Sequence, residues 1–288
     1  MRRSGVAFLF VKATAAIASS GLVVALLMSS CSSAASDGAS TESQTRAVSS
    51  SEGESTTVLV ALGDSDTNGH GDPSGTGWVG YYAALVHAAT GRKVAVHNLA
   101  VDGLTSDDLR LQLLKDQALR AGIASADFIV LGLGGGDLNT ADSSYLAKTC
   151  APVACYGRAI SHYGQNMDTI AAEIAEIRGQ KPTVLRAVSG PNIVPGAEDV
   201  IPAELLEAAR RFGLSQARGL RDQTCRAMTL HNGRCIDVVT AVNGPDGTAD
   251  GYAAGLLNHS ECCYPNAAGQ RLMAKLLIQT GTKPIQLH

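Results

Sequence analysis

From Thr57 onward the chain alternates short β-branched or aliphatic runs with amphipathic stretches, and no other feature narrows its fold as much. Strands are expected over residues 57–62, 93–99, 127–133, 183–188 and 234–239. Helices are expected over residues 78–89, 106–121, 159–178, 202–227 and 267–280, with Thr105 or Ser106 as the cap of the second and Gly179 ending the third. The third strand run, from Asp127 to Leu133, is apolar almost throughout, as a parallel strand covered on both faces must be. The alternation predicts an α/β domain over residues 57–288, built on a parallel sheet with helices on both faces. No internal repeat and no second linker divides it.

What precedes residue 57 has a different character. Arg2, Arg3 and Lys12 lead into an apolar run over residues 13–28, too short for a bilayer span and charged in front like an export signal. The run ends in Leu27-Met28-Ser29-Ser30-Cys31, which resembles a bacterial lipobox. That resemblance implies cleavage before Cys31, lipid attachment to it and a membrane tether on the extracytoplasmic face. Residues 31–56 are rich in Ser and Thr, with Val48 the one sizeable aliphatic side chain, and cannot bury enough to offset their ordering entropy. They are read as a tether.

Charge and cysteines bound the function further. The formal charge is −3, and removal of residues 1–30 leaves 20 Lys and Arg against 26 Asp and Glu. That balance argues against a nucleic-acid partner and against attraction to an anionic surface. Six cysteines remain after Cys31: Cys150, Cys155, Cys225, Cys235, Cys262 and Cys263. An even number in an exported chain suggests disulfides, with short loops closed by Cys150–Cys155 and Cys225–Cys235. No metal-ligand spacing occurs, and Gly134–Gly136 lacks the Lys-Ser/Thr of a phosphate loop. No cofactor is therefore expected.

Chemistry in such sheets sits at the carboxyl ends of the strands. After the first strand stands Gly63-Asp64-Ser65, running on to Asn68, Gly69, His70 and Gly71. After the second comes Asn98 through Asp102 and Gly103, and after the third Gly134-Gly135-Gly136-Asp137-Leu138-Asn139. All three fall on one edge, where glycines let backbone N–H groups face a ligand. Ser65, on a glycine-flanked turn, is placed as a nucleophile.

Gly63-Asp64-Ser65, with Thr67, Gly69 and Trp78, resembles block I of the SGNH (GDSL-type) esterases and lipases. Asn98 to Gly103, with Thr105, Asp108 and Leu109, resembles block II. Gly134 to Leu138 resembles block III, usually Gly-x-Asn-Asp. Pro265-Asn266-Ala267-Ala268-Gly269, with Met273 and Ala274, resembles the end of block V, usually Asp-x-x-His-Pro-Asn-x-x-Gly. The resemblance spans roughly residues 57–282 in order. It implies a three-layer α/β/α sandwich, Ser65 as nucleophile of a serine ester hydrolase, and the N–H groups of Ser65 and Gly103 as oxyanion donors.

Two of the four name-giving residues are missing from that pattern. Gly136 stands where the oxyanion Asn belongs, and Tyr264 and Glu261 stand where the base His and its Asp belong. Loss of one oxyanion donor costs about 2.7–4 kcal/mol of transition-state stabilisation. Loss of a general base costs about 10²–10⁴ in rate, and a phenol of ordinary pKa about 10 is a weak base at neutral pH. His259, oriented by Glu261 or Asp250, is the candidate replacement base, and His70 the second. Asn139 or Asn68 is the candidate amide for the oxyanion. Three functions follow from this. The first is a lipid-anchored hydrolase acting on esters of a small molecule, a lipid or a cell-envelope glycan. The second is a binding or envelope-assembly lipoprotein that keeps the cleft without the chemistry. The third is a structural lipoprotein whose tether matters more than its cleft. The segments 142–156 and 191–202 are expected at the cleft rim.

Overall fold

The computed structural model describes residues 56–260 and 263–288. The expected signal segment, nearly all of the tether, Cys31, Glu261 and Cys262 lie outside the described residues. Among the described residues a five-stranded parallel sheet is built in the order β2-β1-β3-β4-β5. The strands are β1 (Thr57–Gly63), β2 (Val94–Asn98), β3 (Phe128–Gly132), β4 (Val184–Val188) and β5 (Arg234–Ile236).

Side chains on the central strands alternate between two cores because successive Cβ atoms point to opposite faces. Val60, Leu62, Ile129, Leu131, Leu185 and Ala187 belong to one core. Leu59, Ala61, Phe128, Val130, Val184 and Val188 belong to the other. The first core is closed by α3 (Ser106–Lys115), α4 (Gln117–Ser125), α6 (Pro152–Arg178) and α7 (Ala203–Leu230). The second is closed by α2 (Gly77–Thr90), α8 (Val238–Asn243) and α9 (Ala267–Gln279). Two further helices, α1 (Ser65–Asn68) and α5 (Gly135–Leu146), start where β1 and β3 end. The result is the three-layer α/β/α sandwich.

Among the elements that differ from the sequence expectation, two do so through a local hydrogen bond and one through a remote one. The helix expected over 106–121 is two helices, because Asp116 turns extended (φ −90°, ψ 104°) and its carboxylate accepts from Ala118 N and Leu119 N. The last strand stops at Ile236, because Asp237 caps α8 by accepting from Thr240 N at 2.9 Å. The glycine run after β3 is the first turn of α5 rather than an open loop, for the reason given below.

Two disulfides brace the sandwich. Cys150–Cys155 holds the entry of α6, and Cys225–Cys235 ties α7 to β5, with Cα separations of 5.5 and 5.1 Å. Cys263 is also disulfide-bonded. No helix of the described residues is long and apolar enough to cross a membrane.

Candidate active site

The strand order reverses between β1 and β3, and the carboxyl edge of the sheet opens there into a cavity of about 510 Å³. Ser65 lies on its wall as the first residue of α1. The turn that carries it is pinned from two sides. Thr67 is buried and its Oγ1 donates to Gly132 O at 2.9 Å. Asp64 is buried and caps two helices at once. Its Oδ1 accepts from Asp66 N at 3.3 Å in α1, and its Oδ2 accepts from Gly135 N at 3.1 Å at the start of α5. A carboxylate at the head of α5 is favoured by the helix dipole, so the glycine run folds as a helix although its sequence is poor in helix formers.

Tyr264 supplies the group that touches the serine. Its Oη donates to Ser65 Oγ at 3.1 Å. Its ring tilts against that of His70, with centroids 5.4 Å apart. Beneath it is Gly71, at φ 84°, where an added Cβ would sit 2.6 Å from Tyr264 Cβ and 2.5 Å from Pro265 O. Only glycine allows that approach. The two loops are joined by Gln270 of α9, which is buried. Its Nε2 donates to His70 O and Pro265 O, and its Oε1 accepts from Trp78 N at 2.7 Å. Asn266 then sets the exit of the second loop. Its Oδ1 caps α9 through Ala268 N and Gly269 N, and its Nδ2 donates to Gly255 O and Leu257 O.

The candidate residues divide by position. Ser65, Gly103, Gly136, Asn139 and Tyr264 all line the cavity, as do His70 and Asp102. His70 Nε2 lies 2.9 Å from Asp102 Oδ2, and Asn68 Nδ2 donates to Asp102 Oδ1 at 2.9 Å. That bond commits the Asn68 amide away from an oxyanion. His259 lies off the cavity wall. Its Nδ1 is 3.8 Å from Asp199 Oδ1 and its ring tilts against that of Tyr252 with centroids 4.4 Å apart. Asp250 accepts from Tyr252 N and Ala253 N within its own turn, so it does not reach back to orient His259. Glu261 lies outside the described residues. Gly136 is pressed against the second loop, and an added Cβ would stand 2.5 Å from Leu104 O. Position 136 therefore has no room for a side chain here. Of the two expected rim segments, the second lines the cavity through Pro191, Asn192, Ile193 and Val194, and the first through Asp142 and Tyr156.

Acid groups crowd the floor. Burial pushes the Asp64 carboxyl up to about 6, against the lowering effect of the N–H groups of Asp66 and Gly135. Burial, and then the neighbouring Asp64 charge, pushes Asp66 up to about 8, with His70 opposing. Asp66 Oδ1 is buried with no hydrogen-bond partner among the described residues. Asp137 is also raised by burial, although Ser106 Oγ and N donate to it at 2.6 and 3.0 Å. Asp102 is lowered, first by its bond from Asn68. Among the described residues no group of three or more His, Cys, Asp or Glu is arranged to hold a metal ion.

A model of the GDSL-like lipase/acylhydrolase family matches residues 61–272. The chain belongs to that family. A stretch of 122 residues, 42% of the chain, is 38% identical to the uncharacterized protein YpmR of Bacillus subtilis (strain 168). The match spans 46% of that relative. Among solved structures, a lipase from a goat rumen metagenome, Lip_vut3, is 20% identical with a TM-score of 0.64, over 79% of this chain and 98% of that one. Axe2, an acetylxylan esterase from Geobacillus stearothermophilus, is 19% identical with a TM-score of 0.52, over 77% and 93%. At these identities the likeness is one of fold. In this member the side chain that touches the Ser65 hydroxyl is the phenol of Tyr264.

The residues that sequence reasoning missed are Asp64 as a double cap and Gln270 as the tie between loops. Asp64 carried a signal, since an acid before a helix start is a capping residue. Gln270 carried none, because its partners lie up to 200 positions away.

Proposed function

We propose that the protein is an exported serine ester hydrolase, lipid-anchored through Cys31 on the extracytoplasmic face of the membrane, in which Tyr264 replaces the usual histidine as the proton partner of Ser65. The observation that carries this reading is the 3.1 Å contact between Tyr264 Oη and Ser65 Oγ on the wall of the cavity. Ser65 Oγ attacks the ester carbonyl, and its proton passes to Tyr264 when that phenol is ionised. The N–H groups of Ser65 and Gly103 face the oxyanion, and no amide from position 136 assists them. His70, fixed by Asp102, lies against the phenol ring and helps to hold it in place. Membership of a family of lipases and acylhydrolases supports the reaction class. The export signal and lipobox support the location.

A phenol base gives the reaction a signature. The rate should climb with pH toward the ordinary phenol pKa of about 10, whereas a histidine base levels off above about 6.5. The test is intact-mass analysis of the purified protein after exposure to a fluorophosphonate, with Ser65→Ala as control, at pH 7 and pH 9.5. One adduct, faster at pH 9.5 and absent from Ser65→Ala, is expected. An absent adduct from folded protein at both pH values would remove the serine-hydrolase reading.

A second reading is favoured by one feature of the same contact. Tyr264 donates to Ser65, and a hydroxyl that accepts a hydrogen bond is a poorer nucleophile. A protein that binds an ester-bearing ligand without cleaving it fits that arrangement, and the same experiment separates the two.

A further inference from the structure

The two edges of the sheet are finished differently. β5 has three residues, opens on the exposed Arg234 and is tied to α7 by Cys225–Cys235. Shortness and charge are common ways to blunt an edge strand. β2 has five residues, Val-Ala-Val-His-Asn, with no proline, lysine or acid among them. Among the described residues it pairs with β1 alone. The ladder to β1 fixes which backbone groups are left over. Lys93 O accepts from Thr57 N at 2.7 Å, and Leu99 N donates to Ala61 O at 2.9 Å. Bonds to one neighbouring strand recur at every second residue, so Ala95 and His97 also turn toward β1. The N–H and C=O groups of Val94, Val96 and Asn98 therefore point out of the sheet.

Apolar side chains flank that open backbone on both faces. Val96, Leu99 and Val101 are 40%, 40% and 49% exposed, three of the eight large apolar residues exposed among the described residues. Val96 shares the α2 face with Val94, which packs on the second core. Leu99 faces α4, where a Cβ on Gly122 would touch its Cδ1 at 3.8 Å. Charge then says what fits the edge. Arg92 and Lys93, both exposed, stand at the entry of β2, and Asp102 and Asp108, both exposed, follow its exit. An antiparallel strand of the same sequence sets each basic end beside the other's acidic end, whereas a parallel one sets like beside like. The hydrogen bonding is self-complementary as well. With a two-fold axis through Val96, that residue faces its own counterpart, and Val94 faces the counterpart of Asn98. Each such pair exchanges two N–H···O bonds. An antiparallel partner at the edge of a parallel sheet is a common arrangement.

We propose that β2 is a dimerisation edge, at which a second copy of this chain joins antiparallel about a two-fold axis at Val96 to make one continuous sheet. The proposal stands apart from the hydrolase reading above. A two-fold contact is closed, since the same edge is used on both copies and no open edge remains to recruit a third. Val96 packs on its counterpart on the α2 face, and Leu99 and Val101 are covered by the entry of the other copy's β2. Those two residues lead into Asp102 and Gly103, which line the cavity, so the contact braces the second loop of the site from outside.

Two measurements test it. The first is sedimentation equilibrium of the full-length protein in density-matched detergent. The mass of two copies is expected at about 100 μM, where a dimer with a Kd of about 10 μM is largely formed. Val96→Lys sets like charges face to face and should weaken association about tenfold or more, with thermal unfolding unchanged. The second is cross-linking with a short reagent that joins two thiols. A residue on the axis has its Cα about 5.5 Å from that of its counterpart. Full-length Val96→Cys should therefore join to itself well above the unmutated protein. Leu230→Cys, at a comparably exposed apolar position at the end of α7, should not. The mass of one copy at about 100 μM overturns the dimer. Amide exchange then identifies the cover. Protection of the Val94, Val96 and Asn98 N–H groups in a monomer means that residues preceding Thr57 take the edge, and lack of protection leaves it to a different protein. A dimer that survives Val96→Lys, or that gives no cross-link through Val96→Cys, forms elsewhere on the surface and also overturns the proposal.

Discussion

The turn after β1 and the loop before α9 meet at Ser65, yet they have kept different things. The turn carries Ser65, and Asp64, Thr67 and Gly71 fix where that side chain stands. The loop keeps the family's frame. Asn266 caps α9 and bonds two carbonyls, and Gly269 packs so tightly that a Cβ would sit 2.3 Å from Leu256 O. At the position that touches Ser65 the loop presents the phenol of Tyr264. Backbone geometry and reactivity are thus separate constraints. A loop can be held in place by its caps and close contacts whatever group it presents.

The sharpest way to break this comparison is Tyr264→Phe, which keeps the frame and removes the hydroxyl. Ester hydrolysis is expected to fall about 10²–10⁴-fold with the melting temperature unchanged, as steady-state kinetics and thermal unfolding would show. Full activity in this variant would mean that the loop supplies frame alone. The complementary change is Asn266→Ala, which removes the α9 cap and two carbonyl bonds. It should cost about 2–3 kcal/mol in urea unfolding, with loss of the Tyr264 contact as the loop loosens. Gly136→Asn tests whether the family's missing amide can simply be restored. The crowding against Leu104 O should cost about 1–3 kcal/mol and bring no gain in hydrolysis. The smallest effect concerns the acids under the turn. Asp64 and Asp66 hold protons more tightly folded than unfolded, so the folded state binds more protons between about pH 4 and pH 8. Stability should therefore fall as pH rises through that window, by a few degrees in melting temperature. Asp66→Asn should flatten the decline.

Much of this architecture is legible in the sequence because it depends on neighbours. Alternating strand and helix patterns, the fully apolar run at residues 127–133 and the glycines at three strand ends are enough to lay out the sheet and its carboxyl edge. Where the reading stopped short, the deciding partner was remote or the contest was close. The break at Asp116 is a contest between helix propensity and a side-chain cap, and the cap prevails locally. The helix at Gly135 forms because a carboxylate 71 residues earlier meets its first N–H. The position of His259 is a matter of loop path, and its neighbours Asp199 and Tyr252 could not be foreseen from spacing. Tyr264 was recognisable as a departure, while its contact with Ser65, 199 positions away, needed three dimensions.

Gln270 sets an order of events as well as a position. The residues it joins, His70, Trp78 and Pro265, are brought together by α9, which follows every other helix of the described residues. As the protein is made from its N-terminus, the serine turn can form long before its partner loop has been synthesised. The serine thus waits, without the phenol at its side, until α9 docks. The closing helix acts as a completion check: a chain cut short before residue 270 keeps its serine and lacks the means to hold Tyr264 against it.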